Sequence, residues 1–245
     1  MLICAATGNK AKLREIRRIL EPRGFEVKSQ KELGITLEPE ETGSTFEENA
    51  FIKAEAICVA SGLPTLADDS GLAVDALNGE PGIYSARYAG SHGDDEANNQ
   101  KLLKNLEGLS KEERRAKFVC AICFYLPGGA HMTVKGECAG HILEAPRGSN
   151  GFGYDPLFVA DRIGLAKGGD GPNTEERTTS EMEDWEKDAI SHRGKALARL
   201  EALLPDFVAE NAMDGNGISV TGVEKSLAFE RNEKYDGDKL TRNLR

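Results

Sequence analysis

Leu66-Ala67-Asp68-Asp69-Ser70-Gly71 puts two adjacent carboxylates and a hydroxyl where a short apolar run meets a glycine turn. Carboxylates repel one another and resist burial without a partner, so such a pair at a strand end implies a cation or a shared proton. A water-exposed acidic turn is the plainer reading of the same residues. Upstream, Thr7-Gly8-Asn9-Lys10-Ala11-Lys12 forms a second strand-to-helix turn carrying amides, a hydroxyl and two ammonium groups. A helix entered through glycine offers backbone N–H groups at its positive end, which suits phosphate. An ordinary N-cap with solvated lysines explains the turn equally well, and the spacing is not that of a Walker loop.

The chain has 245 residues and a formal charge of -10, which disfavours tight binding to bulk nucleic acid but leaves a small anion in a cleft open. Its five cysteines, an odd number, fit a reducing cytoplasm better than a disulfide framework. The start, Met1-Leu2-Ile3-Cys4, lacks the basic flank of a secretory signal, and no apolar run is long enough for a membrane span. The expectation is a cytoplasmic protein that acts apart from membranes.

The periodicity predicts an α/β protein with a mixed sheet. Residues 2–6 read as a strand, followed by a helix with Leu13, Ile16, Ile19 and Leu20 at helical spacing; residues 25–29 read as a second strand. Thr45 and Glu48 form a capping-box pattern for a helix reaching about Gly62, with Phe46, Ala50, Ala54, Ile57 and Cys58 on one face. A strand over 63–68 is expected to give way to a glycine-rich loop extending to about Gly93. A helix from Asp94, a hairpin of strands 117–126 and 132–137, and a last helix capped by Ser191 complete the pattern. Beyond Pro205 it breaks down, which predicts a domain over 1–204 and a C-terminal extension over 205–245.

Three further segments carry chemistry. Glu40 and Glu41 lie in an acidic loop, where solvated charges are the plainer reading; together with the Asp68-Asp69 pair they offer the one or two carboxylates that a magnesium ion takes beside phosphate oxygens and water. Ser191-His192-Arg193-Gly194-Lys195 sets cations at a helix N-terminus against the dipole, so an anionic ligand or a carboxylate neighbour is expected to face them. In Gly151-Phe152-Gly153-Tyr154-Asp155 the glycines let an aromatic ring project, either to stack on a purine or to enter the core. Cys120 and Cys123 lie within a β run and read as structural.

Taken in order, Ala6 to Lys12, Glu40 to Ala50, Ala67 to Leu72, Gly79 to Tyr88, Gly151 to Pro156 and Ser191 to Gly194 resemble the inosine triphosphate pyrophosphatase (Ham1-like) family. The resemblance spans roughly residues 1 to 204. It implies two α/β lobes around a cleft, a homodimer, and hydrolysis of inosine, deoxyinosine and xanthosine triphosphates to the monophosphate and pyrophosphate. It also implies Mg2+ bound by Glu40 and Asp69, with Asp69 as the proton acceptor for water. Thr7, Gly8, Asn9, Lys10, Ala11, Lys12 and Lys53 would hold the phosphates. Ser70, Phe152, Gly153, Tyr154, Asp155, Lys187, His192 and Arg193 would bind the nucleotide, the last two near the base. The stretch 161–178 is longer than the family's usual connection, and the tail after Pro205 has no counterpart in its pattern. Two other readings remain: a Maf-type pyrophosphatase with a different base preference, and a nucleotide sensor without catalysis.

Overall fold

A computed structural model describes residues 1–211. The expected extension over 205–245 therefore lies mostly outside the described residues. Its first part belongs to the last helix, which runs His192–Asn211. Pro205 removes one helical N–H, yet buried Leu204 and partly buried Phe207 and Val208 pack on the core to either side and hold the helix together.

Six strands form one mixed sheet in the order β2-β1-β3-β4-β5-β6. β1 (Leu2–Ala5) pairs in parallel with β2 (Glu26–Ser29) and β3 (Thr65–Val74). β4 (Arg115–Tyr125), β5 (His131–Ile142) and β6 (Phe158–Ala160) continue the sheet antiparallel from β3. The helices are α1 (Lys10–Leu20), α2 (Phe46–Ser61), α3 (Asp95–Asn105), α4 (Asp184–Ile190) and α5 (His192–Asn211). The long stretch 161–178 contains a separate ribbon of β7 (Arg162–Gly164) and β8 (Asp170–Pro172), with β7 against α4.

β3 corrects the sequence reading. The acidic pair does not end the strand; pairing with β4 is unbroken from Thr65–Tyr125 to Val74–Ala116, so Asp68 and Asp69 lie mid-strand. Polar residues in a central strand look like a terminus in sequence because their partners are distant along the chain. Apolar clusters occupy both ends of β3: Leu66 and Ala67 enter the cores against α1, α5 and α2, while Leu72 and Val74 enter a second core with Leu102, Phe118, Leu157 and Ile190. Asp68 to Ser70 sit at the junction of these two lobes.

The predicted capping box before α2 is shifted by one residue. Thr45 Oγ1 accepts from Glu48 N at 3.1 Å, but the Glu48 carboxylate accepts from Ser44 N instead of closing on Thr45. Ala50, Ala54, Ile57 and Cys58 are buried as expected. All five cysteines are free and buried, Cys120 and Cys123 within β4.

Candidate active site

Successive residues of a strand face opposite sides of its sheet, so Asp68 and Asp69 serve different surroundings. The side chain of Asp68 is inaccessible to solvent and faces Lys12 of α1, with Nζ 2.5 Å from Oδ1, and Arg193 of α5, with Nε 2.9 Å from Oδ2. Ser70 donates to Oδ1 at 3.2 Å and Cys120 Sγ donates to Oδ2 at 2.9 Å. Burial would raise the Asp68 pKa, but Arg193 and Lys12 outweigh it and hold the carboxyl well below its usual range. Arg193, 2% exposed, also pairs with Glu15 of α1, and it donates to Ser70 Oγ at 2.9 Å. The carboxylate neighbours expected for the α5 cations are thus Asp68 and Glu15. Gly136 of β5 makes the placement of Arg193 possible: a Cβ there would collide with the backbone of His192 and Ala196, holding the first turn of α5 off the sheet.

Asp69 faces α2. Lys53 Nζ lies 3.1 Å from its Oδ1 and 2.7 Å from Glu41 Oε1, and Asn49 Nδ2 donates to Oδ2 at 3.3 Å. Burial raises the Asp69 pKa more than Lys53 and Lys12 lower it, with Glu41 adding to the rise. Of the acidic loop it is Glu41 that reaches this cluster, where Arg87 NH1 stands 3.6 Å from it. Glu40, the loop carboxylate expected to bind metal, is exposed next to it and free to meet a cation from solvent.

The turn from Thr7 to Lys12 combines both readings made from sequence. Asn9 caps α1, its Oδ1 accepting from Ala11 N at 2.8 Å and Lys12 N at 3.1 Å, and Thr7 Oγ1 accepts from Asn9 N at 3.1 Å. Gly8 and Lys10 are exposed. Their N–H groups donate to no group among the described residues, which leaves them facing solvent at the dipole's positive end.

Lys187 of α4 is buried between Asp155 Oδ2 at 2.8 Å and Glu15 Oε1 at 3.0 Å. Asp155 also accepts from Phe152 N at 2.9 Å and Thr179 Oγ1 at 2.8 Å, and the Tyr154 hydroxyl donates to Ser85 O at 2.9 Å. These two residues brace the loop, while half-buried Phe152 is its projecting ring, 5.3 Å from Lys187 Nζ and 5.9 Å from Arg193 Cζ. His192 stacks on Phe118 at 4.8 Å; burial, then the Arg193 charge, hold its pKa well below the ordinary range, so it is neutral.

The profile of the Ham1 family matches residues 3–203. A dITP/XTP pyrophosphatase of Bacillus licheniformis is 50% identical over 202 residues, covering 82% of this chain and 97% of that protein. Another, from Bacillus subtilis, is 49% identical over 199 residues, with 81% and 94% covered. The chain belongs to the Ham1 family. Among solved structures, the Ham1 protein of Staphylococcus aureus superposes with a TM-score of 0.69 at 41% identity, covering 84% of this chain and 99% of that one. A HAM1 protein from Coxiella burnetii gives 0.71 at 40% identity, with 84% and 99% covered.

Within this Ham1 protein the sequence reading missed Glu15, Asn49 and Arg87. Glu15 had a signal, a charge beside Ile16 on the apolar side of α1; the others appear only once α2 and the acidic loop face β3. The Asp69 surroundings fit a hard divalent cation. The carboxylate oxygens of Asp69 and Glu41 meet around one ammonium there, so the donors gathered at this point are hard oxygens, with Lys53 and Arg87 balancing their charge. Among the described residues no third His, Cys, Asp or Glu completes a cage, and magnesium does not need one when phosphate oxygens and water fill its octahedron.

Proposed function

We infer that this chain hydrolyses non-canonical purine nucleoside triphosphates, dITP and XTP among them, to the monophosphate and pyrophosphate. The observation that carries this reading is the pair of back-to-back ion-pair clusters on β3, Lys12 and Arg193 around Asp68 on one face and Lys53, Glu41 and Arg87 around Asp69 on the other. Lys12 joins them: its ammonium pairs with Asp68, and its charge lowers the pKa of both Asp69 and Glu41. Lys12, Lys53 and the N–H groups at Gly8 and Lys10 line the route for a polyphosphate, next to the carboxylate that takes a proton from water.

In this reading Asp69 orients and deprotonates the water that attacks the α-phosphorus, its carboxylate held in place by Lys53 and Asn49. Bound Mg2+, held by Asp69 and the acidic loop, would neutralise phosphate oxygens as charge gathers on the departing pyrophosphate. Lys12 and Lys53 supply fixed positive charge for the same purpose; such preorganised electrostatics dominate this class of reaction. Phe152 provides the face on which the base stacks. Arg193, 5.9 Å from that ring, donates toward the 6-oxo group that hypoxanthine and xanthine present where adenine has an amine. A mismatch of donors there costs about 1–3 kcal/mol.

The homodimer rests on the family resemblance and the cytoplasmic location on the odd, scattered cysteines; among the described residues no helix is long and apolar enough to cross a membrane. Magnesium-dependent pyrophosphate release across inosine, xanthosine, guanosine, adenosine and pyrimidine triphosphates tests the reading. Release with dITP, ITP and XTP far above that with ATP supports it; equal rates with all bases, or release without divalent metal, overturns it.

A further inference from the structure

One helical turn of α3 grips both backbone polar groups of Gly153, the residue that follows Phe152. Asp95 Oδ2 accepts from Gly153 N at 2.7 Å, and Asn99 Nδ2 donates to Gly153 O at 3.0 Å. Residues four apart on a helix stand on one face, so the two side chains reach the N–H and the C=O of the same glycine. Gly153 has φ +61°, a left-handed conformation that other residues adopt at a cost. That turn reverses the chain directly after the projecting ring.

Asp155 takes the Phe152 N–H at 2.9 Å from within the loop, and it is itself tied to Lys187. Phe152 is therefore fixed on one side by the ion-pair network of α1, α4 and α5. On its other side stands a helix from the second lobe that contributes nothing to that network.

We propose that Asp95 and Asn99 are positioning residues for nucleobase binding, holding the Gly153 backbone so that the Phe152 ring keeps the angle a stacked purine requires. The inference rests on the reading of Phe152 as the base platform. Neither side chain touches the reacting phosphates, so their effect falls on ground-state and transition-state binding alike. Uniform binding of that kind appears in KM and leaves kcat alone.

The test is steady-state kinetics of the full chain with dITP, alongside thermal unfolding. Asp95→Ala and Asn99→Leu are each expected to raise KM about three- to tenfold with kcat held within about twofold, the scale of one lost hydrogen bond. Asp95→Asn, which keeps an acceptor oxygen, is expected to restore KM close to the parent value. Asn99→Asp, which turns a carboxylate on the Gly153 carbonyl, is expected to be the most damaging. In a Phe152→Ala background the same substitutions should change KM by less than about twofold, because contacts acting through one residue are not additive with its removal.

Unchanged KM in Asp95→Ala and Asn99→Leu overturns the proposal. So does a fall in kcat and melting temperature at constant KM, or full additivity with Phe152→Ala. If Phe152→Ala itself leaves KM unchanged, the base-platform reading fails and this inference falls with it; a raised KM there with silent α3 variants overturns the α3 role alone.

Discussion

Lys12 Nζ lies 2.5 Å from Asp68 Oδ1, a carboxylate whose side chain is closed to solvent, while the lysine itself keeps 17% of its side chain exposed. The inner half of this pair anchors the outer half. A lysine tethered in this way meets a phosphate with little rotamer entropy left to lose, which is the thermodynamic use of preorganisation. Lys12→Met should raise KM for dITP tenfold or more on the order-of-magnitude scale of a charged hydrogen bond, and a KM within twofold of the parent would remove Lys12 from the phosphate site.

Asp69→Asn keeps the shape of the side chain and removes its basicity. Turnover should fall by roughly 10²–10⁴, the usual worth of a positioned general base, while calorimetric titration with dITP in calcium still reports binding. Wild-type turnover in this variant would reassign the proton acceptor.

The acidic loop offers two neighbouring carboxylates, and only Glu41 reaches Lys53. Glu41→Gln should therefore shift the magnesium concentration giving half-maximal rate upward by about tenfold, the effect expected for a divalent cation losing one carboxylate in a water-accessible site. Glu40→Gln should shift it less. The reverse order in a magnesium titration would return the metal to Glu40.

Arg193 closes a buried triad with Asp68 and Glu15. Arg193→Met leaves two carboxylates short of a partner in the interior and should cost about 3–5 kcal/mol of stability, readable by urea unfolding. Arg193→Lys retains charge but loses the planar fork; it should stay folded and narrow the preference for ITP over ATP. An unaltered ratio in a folded Arg193→Lys variant would move base selection to another residue.

Stability should fall as the solution is acidified, in two stages. His192 is buried neutral, so below its ordinary value of 6.5 the unfolded chain takes up a proton that the fold refuses. Glu15, where Arg193 and Lys187 outweigh burial, is lowered from 4.5 to about 2, and Asp68 is lowered well below 3.8. Their contribution is complete above about pH 4.5 and drains away as pH drops toward 2. Asp69, with its pKa raised, works weakly in the opposite sense. Melting temperature measured from pH 7 to pH 3 should fall throughout that range, and the limb below 4.5 should be shallower in Glu15→Gln. A flat profile would contradict the assigned ionisation.

The apolar periodicities of α2 and α5 and the hairpin of β4 and β5 were legible in the sequence because each depends on residues a few positions apart. The clusters around Asp68 and Asp69 were legible as chemistry but not as geometry. Asp68-Asp69 read as one acidic pair at a strand end, whereas strand alternation divides it between the Lys12–Arg193 side and the Lys53–Glu41 side of the sheet. That division is fixed by Lys12, Lys53 and Arg193, whose positions relative to β3 only the folded chain defines. The same limit hides the pairing of Glu41 with Lys53, and the burial of Glu15 between Arg193 and Lys187. The longer stretch 161–178 was visible as extra length, but the β7–β8 ribbon within it carries no strong alternation.

β3 runs through both lobes with its ladder to β4 intact, so the two aspartates cannot separate by a hinge at their own position. Any widening of the cleft to admit a nucleotide must be borne by what flanks the sheet: the acidic loop, α3 and the segment bearing Phe152. The aperture and the two aspartates are thereby mechanically uncoupled, and substrates of different girth can enter without disturbing the spacing of Asp68 and Asp69.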